Sequence, residues 1–444
     1  MDTEIKSKRG GWGSNFGFLM ASIGSAVGLG NIWGFPYKMG KSGGAVFLLL
    51  YLVLVVLVGV TVMLGELALG RRSGKSAVST YRGLSKKYTW LGYAGIVCGF
   101  CIMCFYFVLG GIVLRYAVGY FLAIFGGSEF AWSGQGTGFF GYFLTDTNSM
   151  ILFFVLYILL NILVVSGGVQ GGIEKFCNVG MPALFCLLVF IILYIACQPG
   201  AAEGYKFMFT PRWEALKDPM IWIWAMGQAF FSLSVTGSGM IVYGAYLSKD
   251  EDVVGVAQHT AIFDTIAAVV AALVIIPACF SYGLDVGAGP SLLFVTLPTI
   301  LQDIPLGRLF AVILYVAMIF AGVSSLQNMF EAVAESLLHK FPKLSRAAVL
   351  GILCVLCLGF GLLMEPISKW GPWMDLVSIY IIPIGATLGA VSWFYIMKKD
   401  DLLAAVNTGS RRHRGAFWYG VGRYVYVPLA VILCCVALFM NVAF

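Results

Sequence analysis

The sequence predicts an all-α polytopic membrane protein with eleven transmembrane helices, the first and sixth of which are broken. Two observations support this fold class. Of the 444 residues 60% are hydrophobic and only 11% are charged, and the mean hydropathy is +0.91. Two long apolar segments are also interrupted by glycine, at residues 24–34 and 232–239. A membrane span needs about 20 apolar residues, and the predicted spans 1–11 lie at 14–38, 44–70, 89–124, 150–166, 177–198, 220–247, 254–284, 308–339, 345–364, 373–397 and 416–443.

Lysine and arginine predict the orientation. If the spans alternate in direction, one face of the membrane carries the leader 1–13, the loops 71–87 and 340–346, and the segment 398–423, all rich in these residues. We call this the basic face. The positive-inside rule makes it cytoplasmic, so the N-terminus is expected inside and the C-terminus outside. The net charge of +7 then reflects topology and not nucleic-acid binding.

Span 1 begins as an ordinary membrane helix and then becomes rich in helix breakers. Gly24, Gly28, Gly30 and Gly34 surround Asn31, and Pro36 follows. Freed backbone groups are costly in hydrocarbon, so backbone opened at membrane depth is expected to line a polar cavity. The competing interpretation is a small-residue packing face, which requires an intact helix and fits this pattern poorly.

Span 2 ends with Glu66, an ionisable residue in an apolar helix, which needs a partner. Either Glu66 caps backbone amides freed by a neighbouring broken helix, or its side chain reaches the interface. Span 3 carries Tyr106, and a tyrosine of this kind is by itself more typical of packing than of binding.

Span 6 contains the second break. Gln228, Ser232, Ser234 and Thr236 precede Gly237 within it, and oxygen ligands of this kind suit hard cations such as sodium. Alternatively, the hydroxyls bond their own helix backbone. In span 7, Asp264 is a carboxylate inside an apolar helix, which is a functional-site hypothesis by default.

The remaining features exclude other classes. The eleven cysteines lie almost wholly in apolar segments and are expected to act as small hydrophobes, not as metal ligands. The three histidines are scattered, and no nucleophile–base pair can be assembled, so no enzymatic activity is expected. The chain has no Asn-x-Ser/Thr acceptor site, which favours a bacterial inner membrane over a glycosylated cell surface.

Four motifs resemble the neurotransmitter:sodium symporter family along nearly the whole chain. They are SAVGLGNIWxFP in span 1, GExxxGR in span 2, GQAFFSLS in span 6 and FAGxSS in span 8. The resemblance implies a LeuT-like fold of two inverted five-helix repeats. These would be residues 14–198 and 220–397, with 416–443 as an appended helix in a single transporter domain.

The resemblance also implies two sodium sites. The first would comprise Ala26, Asn31, Ser232 and Asp264, completed by the substrate carboxylate. The second would comprise Gly24, Val27, Ala321, Ser324 and Ser325.

The substrate site is implied by the same motifs. Substrate-binding residues would be Ser25, Ala26, Leu29, Gly30, Ile102, Tyr106, Phe231, Ser232, Ser234, Gly237, Ser325 and Met329. Lys38, Tyr106, Phe231 and Asp375 would form the outer gate, and Arg9, Trp12, Tyr246 and Glu335 the inner gate. Glu66 and Gln228 would support the broken helices.

The chain departs from the family pattern in four places. Asp264 stands where animal relatives have Asn and bind chloride, so no chloride requirement is expected, and proton countertransport through Asp264 becomes conceivable. Gly34 replaces the outer-gate Arg, and Lys38, one helical turn on, is expected to reach Asp375 instead. Span 6 lacks an aromatic residue that would pack on the substrate, and His339 stands where an acid is expected, with Glu335 as its substitute.

The sequence therefore predicts sodium-coupled, chloride-independent symport of hydrophobic or aromatic L-amino acids across the plasma membrane by alternating access. Two alternatives remain open: a symporter of another small zwitterion, and an amino-acid sensor that keeps the fold without transport.

Overall fold

The computed structural model describes residues 12–125, 146–287, 292–298, 301, 306–364 and 367–440. Within these ranges the regular structure is helical, apart from one isolated bridge between Gly44 and Pro211. Nine of the described helices are long and apolar enough to cross a membrane, and a bent pair of helices makes a tenth. The prediction of an all-α polytopic membrane protein is confirmed.

The helices follow the predicted spans. The bent pair, Asn15–Ala26 and Gly30–Lys41, is span 1. Spans 2–5 are Ala45–Ser73, Lys86–Ile124, Thr147–Ser166 and Val169–Ala196. Span 6 consists of Pro219–Ser232 and Gly239–Ala245. Spans 7–11 are Val253–Ser281, Gly307–Lys340, Arg346–Met364, Lys369–Ile396 and Ala416–Met440. Short helices at Ala77–Leu84, Ala201–Phe209 and Lys399–Asn407 connect them.

The break in span 1 falls within its glycine-rich stretch. The first helix ends at Ala26, and Val27 adopts an extended conformation (φ −74°, ψ 103°). The two helices meet at 48°, and the second begins with a π-helical turn over Gly30–Gly34. Asn31 satisfies part of the opened backbone, because its Oδ1 accepts a hydrogen bond of 3.0 Å from Gly28 N. The predicted first break is confirmed.

The break in span 6 is longer than that in span 1. Residues 233–238 are non-helical, and they separate helices of 14 and 7 residues. Ser234 (φ 54°) and Gly237 (φ 82°) both lie in the left-handed region, which a continuous helix cannot contain. The predicted second break is confirmed, and neither half of span 6 is long enough to cross the membrane alone.

Spans 1 and 6 lie inside the bundle. The first half of span 1 packs against spans 5, 7 and 8, and the two halves of span 6 pack against span 2. Span 8 packs along span 3. Spans 4, 9 and 11 expose large apolar side chains, among them Leu163, Val355 and Phe439, as expected of helices in contact with lipid. The two breaks are therefore enclosed by protein, where opened backbone is tolerated.

Candidate functional site

The carboxylate of Glu66 supports the break in span 6. Its Oε1 accepts a hydrogen bond of 2.8 Å from Gly237 N, and its Oε2 accepts one of 3.1 Å from Met240 N. Glu66 is fully buried. Of the two roles that the sequence left open for it, the structure places the side chain against the broken helix and not at the interface.

Gln228 connects the two breaks. Its Nε2 donates to the carbonyl oxygen of Gly30 at 3.1 Å, across 198 residues of sequence. Its Oε1 accepts from Lys38 Nζ at 2.8 Å. One buried amide thus satisfies an opened carbonyl of span 1 and holds the charged end of Lys38.

A buried polar cluster forms where the two breaks meet span 7. Asn31 Nδ2 lies 2.6 Å from Asp264 Oδ1 and 3.0 Å from Ser232 Oγ. Ser232 Oγ lies 2.7 and 2.8 Å from the two carboxylate oxygens of Asp264. Tyr51 of span 2 donates to Asp264 Oδ2 at 3.1 Å. We call Asn31, Tyr51, Ser232 and Asp264 the carboxylate cluster.

The chemistry of this cluster suits a hard monovalent cation. It offers carboxylate and hydroxyl oxygens, the ligand types that such ions prefer. The Asn31 amide turns its nitrogen towards Asp264 and Ser232, and its oxygen, which accepts the Gly28 amide, keeps a second lone pair for an ion. An isolated carboxylate charge such as that of Asp264 is strongly disfavoured in a protein interior unless a counter-charge or several hydrogen bonds compensate it. A bound sodium ion would supply that counter-charge, held by Asp264, Ser232 and Asn31. Ala26, also assigned to this site, is buried at the end of the first helix.

The residues assigned to a second sodium site lie between spans 1 and 8. A Cβ atom at Gly24 would lie 3.0 Å from the Cβ of Ser324, so these two residues are in direct contact. Ser324 Oγ lies 3.1 Å from the carbonyl oxygen of Ala321. Val27 is buried at the break. Ser325 instead donates to the carbonyl of Ser25 at 3.2 Å.

Tyr106 approaches the break in span 1 from span 3. Its hydroxyl is within hydrogen-bonding reach of the Leu29 and Gly30 backbone and of Ser325. A Cβ atom at Gly28 would lie 2.7 Å from this hydroxyl, so glycine is required for the approach. Backbone amides beside a tyrosine hydroxyl form a set of donors that suits an anionic group such as a carboxylate.

Polar side chains from spans 1, 6 and 8 meet at Ser25, close to the break in span 1. The hydroxyl of Ser234 and the amide of Asn328 donate to the carbonyl and hydroxyl of Ser25, respectively. Asn328 is fully buried, and its Oδ1 has no hydrogen-bond partner in the described part of the chain. Ile102 and Met329 are buried apolar neighbours on spans 3 and 8.

Gly237 does not join that group. Its amide is held by Glu66, and its carbonyl accepts from Tyr81 at 3.0 Å. A Cβ atom at Gly237 would lie 3.0 Å from the carbonyl of Gly385 in span 10. The described contacts of Gly237 are thus with Glu66, Tyr81 and Gly385, and its assignment to the substrate pocket stays a prediction.

The outer-gate residues lie close to the break in span 1. The Phe231 ring lies 6.0 Å from the Tyr106 ring, and it packs so closely on Gly30 that a side chain there would collide with it. Phe231, Lys38 and Gln228 border a cavity of about 20 Å³. Asp375 is close enough to Lys38 for their charges to attract each other.

The inner-gate residues lie towards the basic face. Trp12 packs against Tyr243 with ring centroids 5.2 Å apart. Tyr246 donates to Glu331 Oε1 at 2.6 Å and to Glu335 Oε2 at 3.4 Å, and Arg346 Nη2 pairs with Glu331 Oε2 at 2.6 Å. Arg9 lies outside the described residues.

Sequence reasoning missed several of these residues. Tyr51, Asn328 and Arg346 were assigned no role, and Glu331 was not assigned to the inner gate. Asn328 and Glu331 are polar residues in a predicted apolar span, a signal that could have identified them. Tyr51 gave no such signal, since tyrosine is common in membrane helices.

The cysteines, histidines and carboxylates of the described ranges form no further metal cluster. Within the ranges the structure covers, no group of three or more His, Cys, Asp or Glu side chains could hold a metal ion, and the cysteines are free.

Comparison with known proteins identifies the family of the chain. A family model described as the sodium:neurotransmitter symporter family matches residues 9–139 and 143–443. The chain is 34% identical over 441 residues to the uncharacterized sodium-dependent transporter YhdH of Bacillus subtilis (strain 168), covering 95% of this chain and 96% of that protein. It is 30% identical to an uncharacterized sodium-dependent transporter of Methanocaldococcus jannaschii, covering 98% of this chain and 90% of that protein.

A solved structure shares the fold. The crystal structure of MhsT in complex with L-phenylalanine superimposes with a TM-score of 0.89 at 33% identity, covering 97% of this chain and all of that one.

Proposed function

The chain belongs to the sodium:neurotransmitter symporter family, and from this premise we propose that it is a chloride-independent symporter that couples sodium entry to the uptake of hydrophobic or aromatic L-amino acids. Its relatives are sodium-dependent transporters and not enzymes, and the chain is a multi-pass membrane protein. The substrate, the ion sites and the chloride independence are the proposed part.

The carboxylate cluster is the observation that carries the proposal. Asn31, Ser232 and Asp264 come from three different spans and meet at the two helix breaks. A cation bound there would contact both broken helices, so its binding would depend on how they are arranged. The alternation between outward and inward access is expected to move these helices relative to span 7.

The amino-acid substrate is supported by two features. The Leu29 and Gly30 amides and the Tyr106 hydroxyl form a set of donors suited to a carboxylate. The fold neighbour MhsT was solved with L-phenylalanine. If the substrate carboxylate completes the sodium shell at the first site, each ligand raises the affinity of the other, which is the thermodynamic basis of coupling.

Chloride independence is proposed from the charge at Asp264. A fixed carboxylate inside the cluster supplies the negative charge that would otherwise come from a bound anion. The second sodium site is proposed at Gly24, Val27, Ala321, Ser324 and Ser325.

We further propose that the basic face is cytoplasmic, that the membrane is a bacterial plasma membrane, and that residues 14–198 and 220–397 are the two inverted repeats.

The test is uptake of a labelled amino-acid mixture into proteoliposomes, with an inward sodium gradient and a matched potassium gradient as control. Sodium-dependent accumulation that is abolished by Asp264→Ala and by Asn31→Ala supports symport, and competition with unlabelled amino acids then identifies the substrate. Sodium-dependent binding without accumulation would favour a sensor. Accumulation of a zwitterion other than an L-amino acid would change the proposed substrate, and the absence of any sodium effect would overturn the proposed ion sites.

A further inference from the structure

A large apolar groove opens between spans 2, 7 and 11, away from the substrate and ion sites. Its volume is about 500 Å³. Apolar side chains from all three spans form its walls, among them Leu52, Val56, Ala261, Ile262, Phe417 and Trp418. Several of these, including Val56 and Phe417, are more than half exposed. The groove therefore faces the hydrocarbon of the membrane.

The end of the groove nearest the basic face is polar. Arg414, which precedes span 11, lines it there. The buried Nε atom of Arg414 has no hydrogen-bond partner among the residues that the structure describes. A guanidinium with a free donor at the end of an apolar groove is suited to an anionic group whose tail lies in the groove.

A second cavity continues from this end. Its volume is about 320 Å³, and Gln258 and Ile262 line both cavities. The other residues around it are polar or charged, namely Asp252, His259, Arg411 and Arg412, together with Gly255. The Asp252 carboxylate already accepts the Gly255 amide at 3.0 Å as the cap of span 7. The arginines outnumber this single carboxylate, so the cavity carries a net positive charge.

From these two connected cavities we propose that the chain binds one anionic phospholipid of the leaflet on the basic face. An acyl chain lies in the apolar groove between spans 2, 7 and 11. The phosphate lies in the polar cavity and interacts with Arg411, Arg412 and Arg414. The order of the two cavities along the membrane normal, apolar towards the centre and basic towards the interface, matches the order of tail and headgroup in such a lipid.

The bound lipid lies next to the carboxylate cluster. Thr265 lines the groove and is within hydrogen-bonding reach of Tyr51. Tyr51 in turn donates to Asp264 at 3.1 Å. The groove is therefore connected to Asp264 of the proposed sodium site through Thr265 and Tyr51.

Native mass spectrometry of the detergent-solubilised full chain tests the proposal. The protein is equilibrated with equimolar phosphatidylglycerol and phosphatidylcholine of identical acyl chains. The expected result is a single-lipid adduct that favours phosphatidylglycerol by about tenfold or more, because the nearby arginines attract an anionic headgroup. Equal adducts of the two lipids on the unmodified chain would overturn the proposal.

Two sets of variants locate the site. Arg411→Gln, Arg412→Gln and Arg414→Gln together are expected to abolish the preference for phosphatidylglycerol. The matched control, Lys86→Gln, Lys87→Gln and Lys343→Gln, removes three exposed charges of the basic face outside either cavity and is expected to keep the preference. Ile262→Trp, placed at the junction of the cavities, is expected to reduce adducts of both lipids, whereas Leu163→Trp on exposed span 4 is not.

Failure of either expectation contradicts the proposal. If the arginine triple variant and its lysine control behave alike, the preference is a general charge effect and no site exists. If Ile262→Trp leaves both adducts unchanged, the acyl chain does not occupy the groove.

Discussion

The side-chain amide of Asn31 and the carboxylate of Asp264 lie 2.6 Å apart, although 233 residues separate them in the sequence. The same amide lies 3.0 Å from the main-chain carbonyl of Asp264, and its oxygen accepts the Gly28 amide. Asn31 therefore connects the opened backbone of span 1 to the charged residue of span 7. A change in the position of the broken helix is transmitted directly to the carboxylate.

The charge of Asp264 predicts how uptake depends on chloride. We expect sodium-driven uptake by the unmodified chain to be the same in chloride and in gluconate. Asp264→Asn removes the fixed charge and keeps the size of the side chain, so uptake by this variant is expected to fall or to require chloride. Uptake in both media measures this, with Asp400→Asn, an exposed position, as the control. A loss of uptake by the unmodified chain in gluconate would contradict the prediction.

The close approach at Gly28 predicts that Gly28→Ala impairs substrate binding. An added methyl group would lie 2.7 Å from the Tyr106 hydroxyl and 2.9 Å from Ser325 Oγ, and such overpacking costs about 1–3 kcal/mol. We expect the KM for uptake to rise about tenfold or more. Gly351→Ala is the matched control, because nothing lies within 4 Å of a Cβ atom there. Equal KM values for the two variants would show that the Tyr106 approach is not part of the binding site.

The contacts of Lys38 predict a role in closing the outer side. Lys38→Ala leaves the Gln228 oxygen without the donor that now lies 2.8 Å away and removes the attraction to Asp375. Hydrogen bonds to charged groups contribute about 1.5–3 kcal/mol, so we expect faster loss of bound substrate to the outside and a higher KM. Lys217→Ala, an exposed lysine, is the control. An uptake profile unaltered by Lys38→Ala would exclude this residue from the gate.

Glu66 is predicted to hold the break in span 6 together. Glu66→Ala leaves the buried amides of Gly237 and Met240 without their acceptors, and each unsatisfied group costs about 1–3 kcal/mol. We expect a clear drop in the thermal unfolding temperature in detergent. Glu66→Gln keeps one acceptor, so its unfolding temperature is expected to lie between those of the unmodified chain and Glu66→Ala. The control is Glu203→Ala at an exposed position, and a drop as large as that of Glu66→Ala would mean that the break is held by other contacts.

The fold and the breaks could be predicted because their causes are local. Glycine and proline disfavour a helix wherever they occur in a span, so the helix breaks at Val27 and Gly237 could be predicted from the neighbouring residues. Asp264 was predicted for a similar reason, since a carboxylate in an apolar helix is costly without a partner.

The hydrogen-bond and ion-pair partners of these side chains could not be predicted from the sequence. Tyr51 lies 213 positions from Asp264, and nothing in its neighbourhood distinguishes it from a tyrosine that faces lipid. The ion pair between Glu331 and Arg346 connects spans 8 and 9. It depends on the geometry of the turn between them, which could not be read from the sequence. The family resemblance supplied the expected pocket residues, but Asn328 was not named among them. Its hydrogen bond to Ser25 depends on how spans 1 and 8 meet.

Binding of radioactive sodium to the purified chain tests the central claim most directly, because it measures the ion at the proposed site without requiring transport. We expect saturable sodium binding, with an affinity that is raised by L-phenylalanine or by an amino acid that competes for uptake. We also expect that Asp264→Ala and Asn31→Ala each remove this rise in affinity, whereas Asp400→Ala does not. Sodium binding that is unchanged in both cluster variants, with and without amino acid, would contradict the assignment of Asn31, Ser232 and Asp264 as a sodium site.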